Sequence, residues 1–182
     1  MGNEFCVLQQ KEGDEVIGVE LLTDAFGRVK EEVHATLDSL TPDDLSHRVT
    51  DKANSIAWLI WHLTRVQDDH IADVAGTAQV WTEQRWADRF GLALDPTDTG
   101  YGHSADQVGT VHATAELLAG YYDATHEQTI AYIGTLTDDD YPRIVDSAWD
   151  PPVTLAVRLI SVISDDMAHV GQAAFVRGLL GR

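Results

Sequence analysis

Apolar residues recur every three to four positions over four long stretches of the chain, the period of helices with one buried face. The first stretch runs from about Glu15 to about Leu40, with Val16, Val19, Leu22, Phe26, Val29, Val33 and Leu37 on one side. Thr41-Pro42-Asp43 then predicts a break. The second spans about Ser55 to Ala75, capped by Asn54 or Ser55, with Ile56, Leu59, Leu63, Val66, His70 and Val74 inward. A shorter helix is expected over Thr82 to Phe90, stopped by Gly91. After the loop "ALDPTDTGYGHS", Ser104 with Gln107 forms a capping-box signature. A third long helix is read from there to about Leu136. Thr137 to Pro152 is polar and Pro-punctuated, so it predicts an irregular crossing. The fourth helix covers about Thr154 to Leu180, with Leu155, Leu159, Val162, Ile163, Val170, Ala173 and Leu180 inward. No stretch alternates as a half-buried strand does. The pattern predicts an all-α fold, a four-helix bundle with a short extra helix and a long loop before the last helix.

Composition narrows the function classes. The 182 residues suit one domain spanning 1–182. A hydrophobic share of 44% with five Trp supports a packed core. The net charge of −18 disfavours nucleic acid, whose phosphates are met by Lys and Arg, and an anionic membrane surface. Cys6 is the sole cysteine, so no intrachain disulfide forms, and a cytoplasmic setting is expected. "MGNEFCVLQQKEG" lacks the basic start and apolar core of a signal peptide. No apolar run approaches the roughly 20 residues of a membrane span. Neither nucleic acid nor membrane is therefore expected as a partner.

The candidate chemistry lies in two helices. "SDDMAHVGQ" interrupts the apolar run of the fourth helix. Asp165 and His169, four residues apart, share a helix face and reach one point. Asp166 is turned about 100° further round, toward the flank. On the second helix, His62 stands at the edge of the apolar stripe. Two imidazoles and a carboxylate suit a first-row dication such as Zn or Ni and leave positions open for a substrate. An intrahelical Asp165–His169 pair with no metal fits the same spacing. Gly171, costly in mid-helix, predicts close approach of another helix. Gln172 is placed to orient a ligand. Arg65 is read as an i,i+4 partner of Asp69, with an anion clamp for a substrate as the alternative. Trp58 is read as packing beside the site, with a substrate contact as the alternative.

"NSIAWLIWHLTRVQDDH" followed by "RLISVISDDMAHVGQAAFVRGLL" resembles the DinB/YfiT-like superfamily. The residues that carry the resemblance are the W-x-x-W-H and H-x-G-Q-x-x-x-x-R-G patterns. The family comprises four-helix bundles, among them mycothiol- and bacillithiol-dependent enzymes. The resemblance implies a divalent metal held by His62, by His169 and by the residue four before it. Here that residue is Asp165, where the common family pattern has His. The acid either serves as a ligand or pairs with Arg65 or Arg158 in a degenerate site. The resemblance further implies a homodimer and a transferase or isomerase acting with a metal-activated thiol such as mycothiol. A metal-dependent hydrolase and a non-catalytic bundle with a structural polar cluster fit the same residues.

Overall fold

The computed structural model describes residues 18–182. The expected start of the first helix near Glu15, its inward Val16, and Cys6 lie outside the described residues. Four long helices dominate: α1 (Gly18–Leu37), α3 (Ile56–Ala75), α7 (Ala115–Ile133) and α8 (Leu155–Leu179). Helix α8 packs on α3 and α1, and α7 packs on the same two. The long helices thus form a closed ring in which α1 and α3 stand on one diagonal and α7 and α8 on the other. The four-helix bundle expected from the periodicity is the architecture observed.

Local chemistry explains both the matches and the departures. Helix α3 begins where expected, with the Ser55 side chain accepting from the Trp58 N–H. Gly76, in the left-handed region, ends it. Thr41-Pro42-Asp43 does break the chain, but it also starts the short α2 (Pro42–Ser46). Pro42 sits in the first turn and Thr41 forms a capping box with Asp44. The expected helix over Thr82 to Phe90 is two pieces, α4 (Val80–Glu83) and α5 (Trp86–Phe90), divided at Arg85 with φ 60°. Gly91 stops the second piece, as read.

The third helix is also shorter than expected. The Ser104–Gln107 capping box opens only one turn, α6 (Ala105–Val108). The chain then leaves helical geometry, and Thr114 caps the start of α7. Two capping residues ten apart carry this division, and apolar periodicity alone runs through it. The polar segment before α8 contains a small hairpin of β1 (Ile144–Asp146) and β2 (Val153–Thr154). No strand was expected there, because the pair is too short for alternation to register. The Leu155 and Ala156 N–H groups donate to the Arg143 and Tyr141 carbonyls, which ties the segment to the first turn of α8.

Helix α3 is buried on nearly every side from Ile56 to Arg65. Its second layer of cover is α2, α4 and the loop over 92–104. A helix enclosed all round need not be polar on its back, and this one is apolar there. One cluster of buried apolar groups, including Trp61, Trp81, Phe90 and Tyr121, fills this end of the bundle. A second, around Phe26, Ile71, Ile133 and Leu159, fills the other.

One half-buried histidine makes the fold sensitive to acid. Burial pushes the His126 pKa down to about 4, helped by Lys30, and its Nδ1 has no hydrogen-bond partner among the described residues. Below its ordinary value of about 6.5, the unfolded chain takes up a proton that the folded chain refuses until about pH 4. Stability therefore falls as pH drops through that window. In His126→Gln the fall of the thermal midpoint between those pH values is expected to be shallower than in the parent. Parallel midpoint curves would contradict this.

Candidate metal centre

Helices α3 and α8 bring three donors to one point. One ligand atom each from His62, Asp165 and His169 lies within 4.8 Å of the others. His62 is buried, and the other two are half-buried. His169 Nε2 stands 3.6 Å from Asp165 Oδ1, beyond hydrogen-bond length, so the two are not locked as an intrahelical pair. The imidazole centroids of His62 and His169 are 4.8 Å apart at 77°, edge to face.

The proton positions follow from the partners. His62 Nδ1 lies 2.5 Å from the Thr99 carbonyl oxygen. A carbonyl only accepts, so Nδ1 carries the hydrogen and the lone pair belongs to Nε2. Burial lowers the His62 pKa, and this outweighs the opposing Thr99 bond, so the ring is neutral near pH 7. Burial raises the Asp165 pKa, but the neighbouring His169 and His62 outweigh it, so Asp165 is held below the usual carboxylate value and stays ionised. The His62 lone pair and the Asp165 carboxylate are therefore available together, beside the His169 ring.

A loop built from a separate part of the chain holds His62 in this state. Gly100, with φ +90°, follows Thr99 beneath the ring. A Cβ there would stand 2.8 Å from His62 Nδ1 and 3.0 Å from the Trp61 ring. The Asp98 carboxylate accepts from the Gly100 N–H and from His103 Nε2. His103 Nδ1 in turn accepts from Trp58 Nε1 at 3.1 Å. Trp58 stacks on His62, with centroids 4.5 Å apart and planes 18° apart. Gly100→Ala combines a strained φ with a steric conflict at the ring. We expect about 1–3 kcal/mol of lost stability and at least a tenfold loss of dication affinity, measured by thermal unfolding and metal titration. Wild-type affinity in this variant would show that the loop does not set the ring.

Other expected residues fall elsewhere. Arg65 is 0% exposed and does not pair with Asp69. It donates to the Asp98 carbonyl, Gln79 Oε1 and the Tyr121 hydroxyl, and lies 3.6 Å from Asp68. It is thus closed off from substrate and anchors the Asp98–Gly100 loop. Arg158 binds Asp146 and His70, so Asp165 pairs with neither arginine. His70, read as core, instead lines the cleft described below. Asp166 is fully buried, not on the flank, and burial pushes its pKa well up. Gly171 meets nothing within 4 Å in place of a side chain, so no helix among the described residues approaches it. Gln172 is exposed, in a surface groove with Asn54 and Phe175, outside the three-donor group.

The three residues fit a dication. Asp165 Oδ2 and His169 Nδ1 are buried without hydrogen-bond partners among the described residues. Buried polar atoms are normally satisfied, and leaving one unmet costs about 1–3 kcal/mol. One positive ion meets a carboxylate and two imidazoles in both charge and donor type. A cleft of about 430 Å³ opens onto His62 and Asp165, bounded also by Val66, His70, Thr99 and Val162. Trp149, 67% exposed, and Tyr101, 93% exposed, stand at its rim. His103, Gly100 and the two rim aromatics were not singled out by the sequence reading. The paired glycines of "TGYGHS" were the available signal.

Comparison with known proteins agrees with this architecture. A crystal structure titled as that of the conserved protein of locus from Enterococcus faecalis superposes with a TM-score of 0.86 at 29% identity. It covers 92% of this chain and 100% of its own. Among curated proteins nothing matches. The family model described as Mycothiol-S-transferase matches residues 21–181. The chain therefore belongs to the mycothiol-S-transferase family, within the DinB/YfiT-like group that its motif helices resemble.

Proposed function

We propose that this protein is a metal-dependent thiol S-transferase, with a divalent ion held by His62, Asp165 and His169. The observation that carries the reading is the convergence of those three donors from two helices, with a buried carboxylate oxygen unmet, at the wall of a cleft. Zn or Ni suits the donor set. A bound dication supplies Lewis acidity that keeps a coordinated thiol as its thiolate. Mycothiol or a similar small thiol is the expected donor, given the family.

The chain's own residues do the rest. Thr99 holds the His62 tautomer, and Trp58 covers the ring against water. Asp165 supplies one negative charge, which leaves the site with a net positive charge to hold a thiolate. The cleft bounded by Val66, Val162 and Trp149 receives the second substrate. In the reaction the thiol gives up its proton to solvent water. Its sulfur then forms a bond to an electrophilic carbon, and the leaving group departs with the bonding pair.

The test is conjugation of a chromogenic electrophile by metal-loaded protein, with and without mycothiol or a small thiol. A rate that rises with thiol and is lost in His62→Ala is expected. Equal rates with and without thiol would contradict the transferase reading and favour hydrolysis by water.

A further inference from the structure

The cleft beside the three donors has a charge and a lining that select what enters it. His62, Val66, Asp69 and His70 follow one face of α3, so the cleft runs along that helix. Seven residues separate His62 from Asp69, which sets them about 10 Å apart along the axis. Ser161 and Val162, about one turn before Asp165 on α8, form the opposite wall. The donors thus stand at one end, a second carboxylate at the other, and the two valines between.

Asp69 is a fixed charge. Its Oδ1 accepts from Gln79 Nε2 at 2.6 Å, and Gln79 Oε1 accepts from the enclosed Arg65 at 2.9 Å. No lysine or arginine is among the described residues that line the cleft. His70 adds no positive charge near pH 7, because burial and Arg158 lower its pKa, and Arg158 is itself paired with Asp146. In the proposed reaction the metal end is balanced, since a dication, the Asp165 carboxylate and a thiolate are neutral together. Asp69 then leaves the cleft negative, and without the ion Asp165 adds to it.

The rim supplies the complement to that charge. Trp149 and Tyr101 come from two separate segments, and neither ring meets another ring among the described residues. Aromatic faces attract a cation through their quadrupole, and a carboxylate attracts it through its charge. An anion meets Asp69 as a like charge with no lysine or arginine to offset it. The net charge of −18 repels anions further.

We propose that this cleft binds an apolar organic cation of the aryl-ammonium class, with its ring against Val66, Val162 and Trp149 and its positive group at Asp69. That such a compound is the electrophilic substrate, with its reactive carbon at the metal end, rests on the thiol-transfer reading. The binding itself does not.

The test is titration calorimetry on the full chain in about 150 mM salt, both without metal and loaded with Zn. The probes are phenyltrimethylammonium, benzyl alcohol and benzenesulfonate. The cation is expected to bind at least ~10-fold more tightly than either of the others. Asp69→Asn keeps the oxygen that accepts from Gln79 and removes the charge. It is expected to weaken the cation about 10-fold and to leave benzyl alcohol unchanged. Trp149→Ala is expected to weaken both. Asp43→Asn, an exposed position on α2, removes the same charge elsewhere on the surface and is expected to change neither. Circular dichroism checks that each variant is folded.

Equal affinity for the cation and the sulfonate in the wild type would overturn the proposal. So would no binding of the cation up to about 10 mM, or an Asp69→Asn chain that keeps the wild-type affinity for it. A loss in Asp43→Asn as large as that in Asp69→Asn would assign the preference to the overall charge and overturn the site. A chain that shows the cation preference but transfers no thiol would support the site and fail the transferase reading alone.

Discussion

Replacing Arg65 by Ala is expected to cost about 3–5 kcal/mol, the scale for removing one partner of a buried ion pair. The guanidinium is enclosed and meets five groups, the Asp98 carbonyl among them. It lies 3.6 Å from the Asp68 carboxylate, donates to the Tyr121 hydroxyl and Gln79, and sits 5.1 Å from the Trp81 ring centre. Asp68 meanwhile accepts from the Val80 and Trp81 N–H groups, which pins α4 against α3. Burial already raises the Asp68 pKa against these bonds and against Arg65. Without the cation its charged form loses its closest positive neighbour. For a chain of this length the loss corresponds to a fall of roughly 10 °C in thermal midpoint. Lys is not expected to rescue, because one ammonium cannot span the Asp98 carbonyl and Gln79 as the planar fork does. Urea unfolding gives the measurement, and a loss under about 1 kcal/mol would contradict a structural role.

The second large effect concerns the ligand set itself. His169→Ala is expected to lower dication affinity by more than the ~10–100-fold typical of changes one shell further out. Thiol-transfer activity should fall to background. Stability without metal should change little, since the His169 side chain is half-buried and its Nδ1 has no partner among the described residues. Asp165→Asn separates charge from shape. It keeps an oxygen donor but loses the negative charge, so affinity should fall while the helix stays intact. Asp165→His restores the three-imidazole set implied by the family resemblance and is expected to retain binding. Titration calorimetry with Zn on each variant checks the order. Equal affinity in wild type and His169→Ala would remove His169 from the site.

The bundle and its three-donor point were legible because both rest on helical period. His62 sits on a helix whose cap, Ser55, was readable, and Asp165 and His169 are one turn apart. Asp166 was legible too, and was misplaced. It lies four residues after Val162 and four before Val170, on the inward stripe, but its rotation of about 100° from Asp165 was read as pointing to the flank. Arg65 was misread because the i,i+4 rule describes a solvated face, and α3 has none over that stretch. The support for His62 was not legible from the helices at all. Thr99 acts through its carbonyl, and His103 reaches Trp58 from 45 positions away. Such contacts depend on how a loop docks, which periodicity does not encode. Gly171 was read as a place of close approach by another helix, yet nothing among the described residues lies within 4 Å of where its side chain would be.

The most direct test of the proposed site is the metal content of the full chain, purified without chelator and without an affinity-tag metal, then analysed by elemental mass spectrometry. About one Zn or Ni per chain is expected in the wild type and none above background in His62→Ala or His169→Ala. A wild-type chain with no stoichiometric dication, which also binds none on titration, would contradict the metal centre and with it the thiol-transfer reading.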